Sequence, residues 1–244
     1  MFGWRARLGF LVPPGNPTLE PEMAMLAVPG VTQHFTRMFV QGSTTGSLDG
    51  QDERNRQQVE GLDRDVMLLA QVKPNVIVLG HTATSYTLGK QADAEISGRL
   101  TRAHGVPFVT AFACVIAALE HLGVKRIAIG APYGDDTVRQ GRAHMESYGI
   151  EVVNVGRLAD VKNIYEENEE RAFTLARNAN APQAEAIFIS GVGLPTLRML
   201  DAAERDLGKP VFSSAAAMMW NALRIAGIRE SIPGFGRLLA APGH

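Results

Sequence analysis

The 244-residue chain is 45% hydrophobic and 20% charged, with a formal net charge of −1. That balance supports a sizeable core and supplies no basic stripe to neutralise phosphates, which argues against nucleic acid as a partner. One cysteine cannot form an internal disulfide, no Cys/His spacing suggests zinc, and no apolar run approaches the length of a membrane helix, so a cytoplasmic protein with no metal and no membrane partner is expected.

In chain order, Arg5 and Arg7 precede an apolar stretch that stops at Pro13. It is too short for a signal peptide and reads as a strand over 7–12. Further strands are expected at 32–40, 75–80, 107–110, 125–130, 150–156, 185–190 and 210–213. Most are continuous apolar runs, the pattern of strands buried on both faces of a parallel sheet. Helices are expected between them. Residues 52–72 place Val59, Leu62, Val66 and Leu69 at helical spacing, and 111–122 place Val115, Ile116, Leu119 and Leu122 likewise. Residues 163–179, 196–206 and 215–226 complete the set. Alternating strands and helices predict an α/β fold with parallel sheets, whose ligands bind beyond the carboxyl ends of the strands.

The order of elements repeats. Leu8 to Asn16 matches Ile127 to Asp135, with Pro and Gly at corresponding places. The loop after strand 75–80, starting at His81, matches the one starting at Gly191. Gly105-Val-Pro107 matches Gly208-Lys-Pro210, each leading through a short strand to a hydroxyl and a helix. The offsets are 119, 110 and 103 residues. Three pairs in one order favour two duplicated domains, far longer than solenoid units. The division expected is residues 1–112 with 214–244 as one α/β domain and 113–213 as the other, with the site between them.

Four loops fall at the ligand-binding edge: 13–17, 80–87, 131–136 and 190–195. Pro14 and Asn16 lie in the first; Asn16 offers a donor and an acceptor, although a turn-forming Asn before a capped helix is the plainer reading. Thr82, Ala83, Thr84, Ser85 and Tyr86 form the second. A helix starting there aims free N–H groups at a carboxylate or phosphate, while some of these hydroxyls serve as caps. Tyr133, in the third loop, could donate to the same anion. Ser190, Gly191, Val192 and Gly193 form the fourth, where glycine lets backbone amides approach a ligand. No dinucleotide or nucleotide fingerprint occurs at these strand ends, so no cofactor is indicated.

His81 is the candidate for chemistry, since imidazole exchanges a proton near neutrality. At a helix N-terminus the dipole would favour its neutral form, and a bound carboxylate would raise its pKa again. The competing reading is a buried histidine satisfied by a carbonyl. Histidines 34, 104, 121, 144 and 244 read as structural or solvated. Cys114 sits in an Ala-rich helical run and reads as core. Glu166 to Glu170 read as a solvated face, and Met218, Met219 and Trp220 as core.

The residues resemble the aspartate/glutamate racemase superfamily, in its maleate isomerase and arylmalonate decarboxylase branch. The resemblance rests on Val12-Pro13-Pro14-Gly15-Asn16 with Thr18-Leu-Glu, Thr82-x-x-Ser85-Tyr86, Leu122-Gly123-Val124-Lys125-Arg126 leading to Tyr133-x-Asp135-Asp136, Ser190-Gly-Val-Gly193-Leu194, Pro210-Val-x-Ser213-Ser214, Trp220, and Pro233-Gly-Phe-Gly236-Arg237-Leu238. It implies two similar α/β domains, a site between them, cofactor-independent chemistry next to a carboxylate, and a homo-oligomer. It implies substrate contacts from Asn16, Thr82, Tyr133 and the amides around Val192 and Gly193. Such proteins place cysteines on the two facing loops, where this chain has His81 and Gly191. A decarboxylase-like lyase or related proton-transfer enzyme for a small dicarboxylate or substituted acid is expected, with His81 as acid/base. The alternatives are an isomerase working without cysteine, a hydrolase of a small amide or imide using His81-activated water, and a non-catalytic carboxylate-binding protein.

Overall fold

The computed structural model describes residues 2–40 and 51–240, the side chains of residues 51 and 52 excepted. His244 lies outside the described residues. Eight strands form where the apolar runs predict them: β1 Ala6–Val12, β2 Val31–Arg37, β3 Val76–Leu79, β4 Phe108–Thr110, β5 Arg126–Gly130, β6 Glu151–Gly156, β7 Ala186–Ile189 and β8 Val211–Ser213. They make two four-stranded sheets, ordered β2-β1-β3-β4 and β6-β5-β7-β8, and every pairing is parallel. The second order is the first with four added to each label. This is the pseudo-symmetric α/β architecture that the repeat predicts.

Period-two alternation divides the first sheet's side chains between its faces. Leu8, Phe10 and Val12 of β1, with Val76 and Val78 of β3, join the large core. Leu11, Ile77 and Leu79 turn to the other face. There they meet Leu62, Val66 and Leu69 of helix α3 (Leu62–Ala70) and Leu100 of α4 (Thr82–His104). Each such side chain contributes about 1.5–3 kcal/mol on burial. In the second sheet Phe188 of β7 stacks on Phe212 of β8, ring centroids 5.4 Å apart.

The large core runs through both halves. At its centre α5 (Ala111–Leu122) packs against α9 (Ser214–Ile225). Alanines 111 and 118 on one helix and 215, 216, 217 and 222 on the other are buried. Cys114 lies in this seam, as its core reading predicts. Asn221 donates Nδ2 to its sulfur at 3.4 Å, and burial pushes the thiol up to about 12. Met218, Met219 and Trp220 are buried as expected.

Two predicted helices differ. Residues 52–72 divide into α2 (Gln51–Glu60) and α3 at Gly61, whose backbone stays right-handed at φ −83°, ψ −8°. Residues 163–179 open as a short 3-10 turn at Ile164–Glu166 before α7 (Glu169–Ala179). The break comes from two asparagines that take extended backbone: Asn163 accepts from Tyr165 N and Asn168 from Arg171 N, each restarting the chain with an N-cap. The helix expected to start in the hydroxyl loop is α4, which runs to His104 with a kink at Gly89, φ 77°.

Candidate active site

The carboxyl ends of β1, β3, β5 and β7 deliver the four loops to one region, and hydrogen bonds between the two halves concentrate there. Asn16 donates Nδ2 to the Val192 carbonyl at 3.0 Å, and Thr18 Oγ1 donates to Gly193 O at 2.9 Å. Tyr86 OH and Ser190 Oγ share a bond of 2.8 Å. Thr82 donates its hydroxyl to Ser214 Oγ at 2.8 Å, and Gly191 N–H donates to the same oxygen at 3.2 Å. One hydroxyl therefore joins the first turn of α4 to the loop after β7. The backbone must come close here: a Cβ on Gly80 would stand 2.6 Å from the Leu11 carbonyl oxygen.

Each predicted residue has a definite place. The Pro14 carbonyl accepts from Arg37 Nη1 at 3.1 Å. Asn16 is buried, and its Oδ1 accepts from Thr18 N at 2.8 Å and Leu19 N at 3.0 Å at the start of α1 (Leu19–Met25). Its amide is thus a cap and a clasp, in line with the plainer reading. Thr82, Ala83 and Ser85 are fully buried in the first turn of α4. Ser85 spends its hydroxyl on Asp93, across the kink, at 2.9 Å. Tyr133 is buried beside Gly191, and a Cβ on Gly191 would lie 2.7 Å from its hydroxyl. Gly191 also has φ +105°, in the region that favours glycine. A Cβ on Gly193 would lie 2.7 Å from the ring of Tyr165. Burial raises both the Tyr86 and the Tyr133 phenols, so they remain hydrogen donors.

His81 is the N-cap residue of α4, half-buried, with extended backbone. Its Nδ1 meets Thr84 Oγ1 at 2.7 Å, which orients the ring. Its pKa falls to about 4, through burial first and the charge of Arg54 second. The direction is the one expected, and burial and Arg54 are its leading causes. Imidazole is therefore neutral at pH 7. Of the other histidines, His144 is buried against Phe112, centroids 4.3 Å apart, and His121 lies beside Trp220 at 4.8 Å.

Three contributors escape a sequence reading. Ser214 binds across 132 positions to Thr82; in the sequence it shows only as the residue after Ser213 in the family resemblance. Arg54 lies in the predicted helix 52–72 but outside its apolar positions, and nothing in the sequence singles it out. Glu22, on α1, is buried and accepts from Thr196 N at 2.5 Å and Leu197 N at 2.7 Å, at the start of α8 (Leu197–Leu207). Burial raises its carboxyl to about 7 against these opposing bonds. With Asn16 and Thr18 it holds the loop after β7 from the other half.

Residues 8–239 match the family model of arylmalonate decarboxylase. The chain belongs to the arylmalonate decarboxylase family. An arylmalonate decarboxylase of Bordetella bronchiseptica is 32% identical over 174 residues, 67% of this chain and 70% of that one. A maleate isomerase of Nocardia farcinica is 28% identical over 245 residues, 96% of this chain and 95% of that one. The fold is that of the maleate isomerase of Pseudomonas putida S16, with a TM-score of 0.87 at 23% identity over 96% of this chain and 97% of that one. The family member described here is thus an enzyme, an isomerase or lyase of the Asp/Glu racemase-like superfamily. Among its described residues no helix is long and apolar enough to cross a membrane.

Proposed function

We propose that the protein is a cofactor-independent, decarboxylase-like lyase for a small dicarboxylate or substituted acid, with His81 in the role that cysteine plays in its relatives. The observation that supports this is His81 at the N-terminus of α4, its Nδ1 held by Thr84 Oγ1 and its imidazole kept neutral by burial. Tyr133 O–H and the amides of Val192 and Gly193 supply donors for a carboxylate and for the enediolate that follows, while Thr82 O–H and Gly191 N–H, both held on Ser214 Oγ, fix the two loops around them. Loss of carbon dioxide breaks a C–C bond and leaves its electron pair on that enediolate. A bound dianion raises the imidazole pKa, so His81 takes up a proton with the substrate. Nε2 then delivers it to carbon, and solvent restores it.

The cysteine count favours this reading over isomerisation through a thiol adduct. The maleate isomerase of Nocardia farcinica has been captured, as a mutant, with a covalently bound succinylcysteine intermediate. Here the only cysteine is Cys114, fully buried in the helix seam with its thiol pushed up to about 12. A panel of substituted malonates and maleate, assayed for carbon dioxide and fumarate, tests the proposal. Carbon dioxide from a malonate supports it; fumarate alone, or no carbon dioxide from any malonate, would overturn it.

A further inference from the structure

Three buried hydroxyls converge where the two halves meet. Tyr86 stands on the second turn of α4, Tyr133 follows β5, and Ser190 follows β7. All three line one cavity of about 10 Å³, room for no more than a single water. Tyr86 OH and Ser190 Oγ are 2.8 Å apart, a bond that spans 104 positions of sequence. The Ser190 side chain is also a hydrogen-bond partner of the Tyr133 phenol. The scaffold fixes these groups from several sides. Ser190 N–H donates to the Gly130 carbonyl at 2.8 Å, which ties the end of β7 to the end of β5. The Tyr86 ring meets Phe112 edge-on, centroids 5.6 Å apart. It also lies so close to α6 (Asp135–Glu146) that a Cβ on Gly141 would stand 2.9 Å from it.

Counting protons gives this group a direction. Each hydroxyl has one hydrogen to donate and lone pairs to accept with. Burial keeps both phenols protonated. If Tyr133 gives its hydrogen to a substrate carboxylate, its oxygen accepts from Ser190. Ser190 has then spent its only hydrogen, so it accepts from Tyr86. The order is Tyr86 to Ser190 to Tyr133 to anion, with every hydrogen used once. Successive hydrogen bonds polarise one another, so the last O–H in such a chain is the strongest donor.

We infer that Tyr86 and Ser190 are positioning residues whose aligned hydroxyls point the Tyr133 proton at the substrate carboxylate. This rests on the carboxylate-site reading above. It is tested by a double-mutant cycle, with malonate and maleate affinities measured by calorimetric titration. The variants are Tyr86→Phe, Ser190→Ala and Tyr133→Phe, and each of the first two combined with the third. Tyr133→Phe should weaken binding on the order of ten-fold, and Tyr86→Phe and Ser190→Ala by about three-fold each. Because both act through the Tyr133 hydroxyl, neither should cost more than about 1.5-fold once that hydroxyl is gone. A role in packing alone would not produce this dependence on Tyr133. Should Ser190→Ala not fold, the Tyr86→Phe half of the cycle decides, since it removes a single oxygen. Losses that multiply in the double variants, or no loss in the single ones, would overturn the inference and leave the carboxylate site standing. A wild type that binds neither acid would sink the site reading and the inference with it.

Discussion

After β3 the chain passes Gly80 and sets an imidazole at the mouth of α4. After β7, at the matching place in the second sheet, it sets Gly191, with φ +105° and the Tyr133 hydroxyl 2.7 Å from where a side chain would begin. The two loops share a strand, a turn and a following helix, and Ser214 touches both. They differ in what they add. In the proposed reaction the first carries the group that moves a proton, and the second gives backbone amides and room for a neighbouring phenol. Duplication supplied two equivalent places, and asymmetry between them gives the site a direction.

The largest expected effect breaks the first loop. His81→Ala should lower kcat/KM by at least about a hundred-fold, the ordinary worth of a general acid or base. Binding of a small dicarboxylate, read by thermal shift, should persist. A variant that turns over normally would end the assignment. The second loop is tested by Gly191→Ala, which adds a Cβ at positive φ against Tyr133. We expect it to cost about 1–3 kcal/mol in chemical denaturation, with part regained in Gly191→Ala/Tyr133→Phe, where the opposing hydroxyl is gone. No rescue would mean that backbone strain alone makes glycine necessary. The link between the loops is tested by Ser214→Ala. It leaves the Thr82 hydroxyl and the Gly191 amide without their shared acceptor, and should cost about 1–3 kcal/mol with a rise in KM.

A smaller effect is expected in pH dependence. His81 and His144 are both depressed to about 4, so the unfolded chain binds these protons more readily than the folded one. Their contribution to stability is present above about 6.5 and is lost as pH falls toward 4. Glu22 runs the other way: its carboxyl is raised to about 7, and the stability it contributes below about 4.5 is lost as pH rises through 7. Denaturation midpoints from pH 4 to 8 should show a flatter acid limb in His81→Asn and a flatter neutral limb in Glu22→Gln.

Much of the fold was legible because its signals are local. Eight short apolar runs, each closed by a turn, are sufficient to place eight parallel strands, and the ordered repeat indicates two sheets. His81 was legible for the same reason, lying just past a strand and before hydroxyl-rich helical residues. Its protonation state was not. That depends on burial and on Arg54, which reaches it from a different helix. Ser85 shows the opposite limit: a hydroxyl in the right loop turns to Asp93, because the kink at Gly89 brings that carboxylate across. Ser214 and Glu22 join segments 132 and 174 positions away, and nothing in their local sequence marks those partners.

The central claim is that His81 moves a proton to or from carbon. Turnover of a substituted malonate in deuterated water, followed by NMR for wild type and His81→Ala, addresses it most directly. The account predicts one solvent deuteron at the carbon that loses carbon dioxide in the wild type, and no such product from the variant. Equal deuterium incorporation by His81→Ala would contradict it.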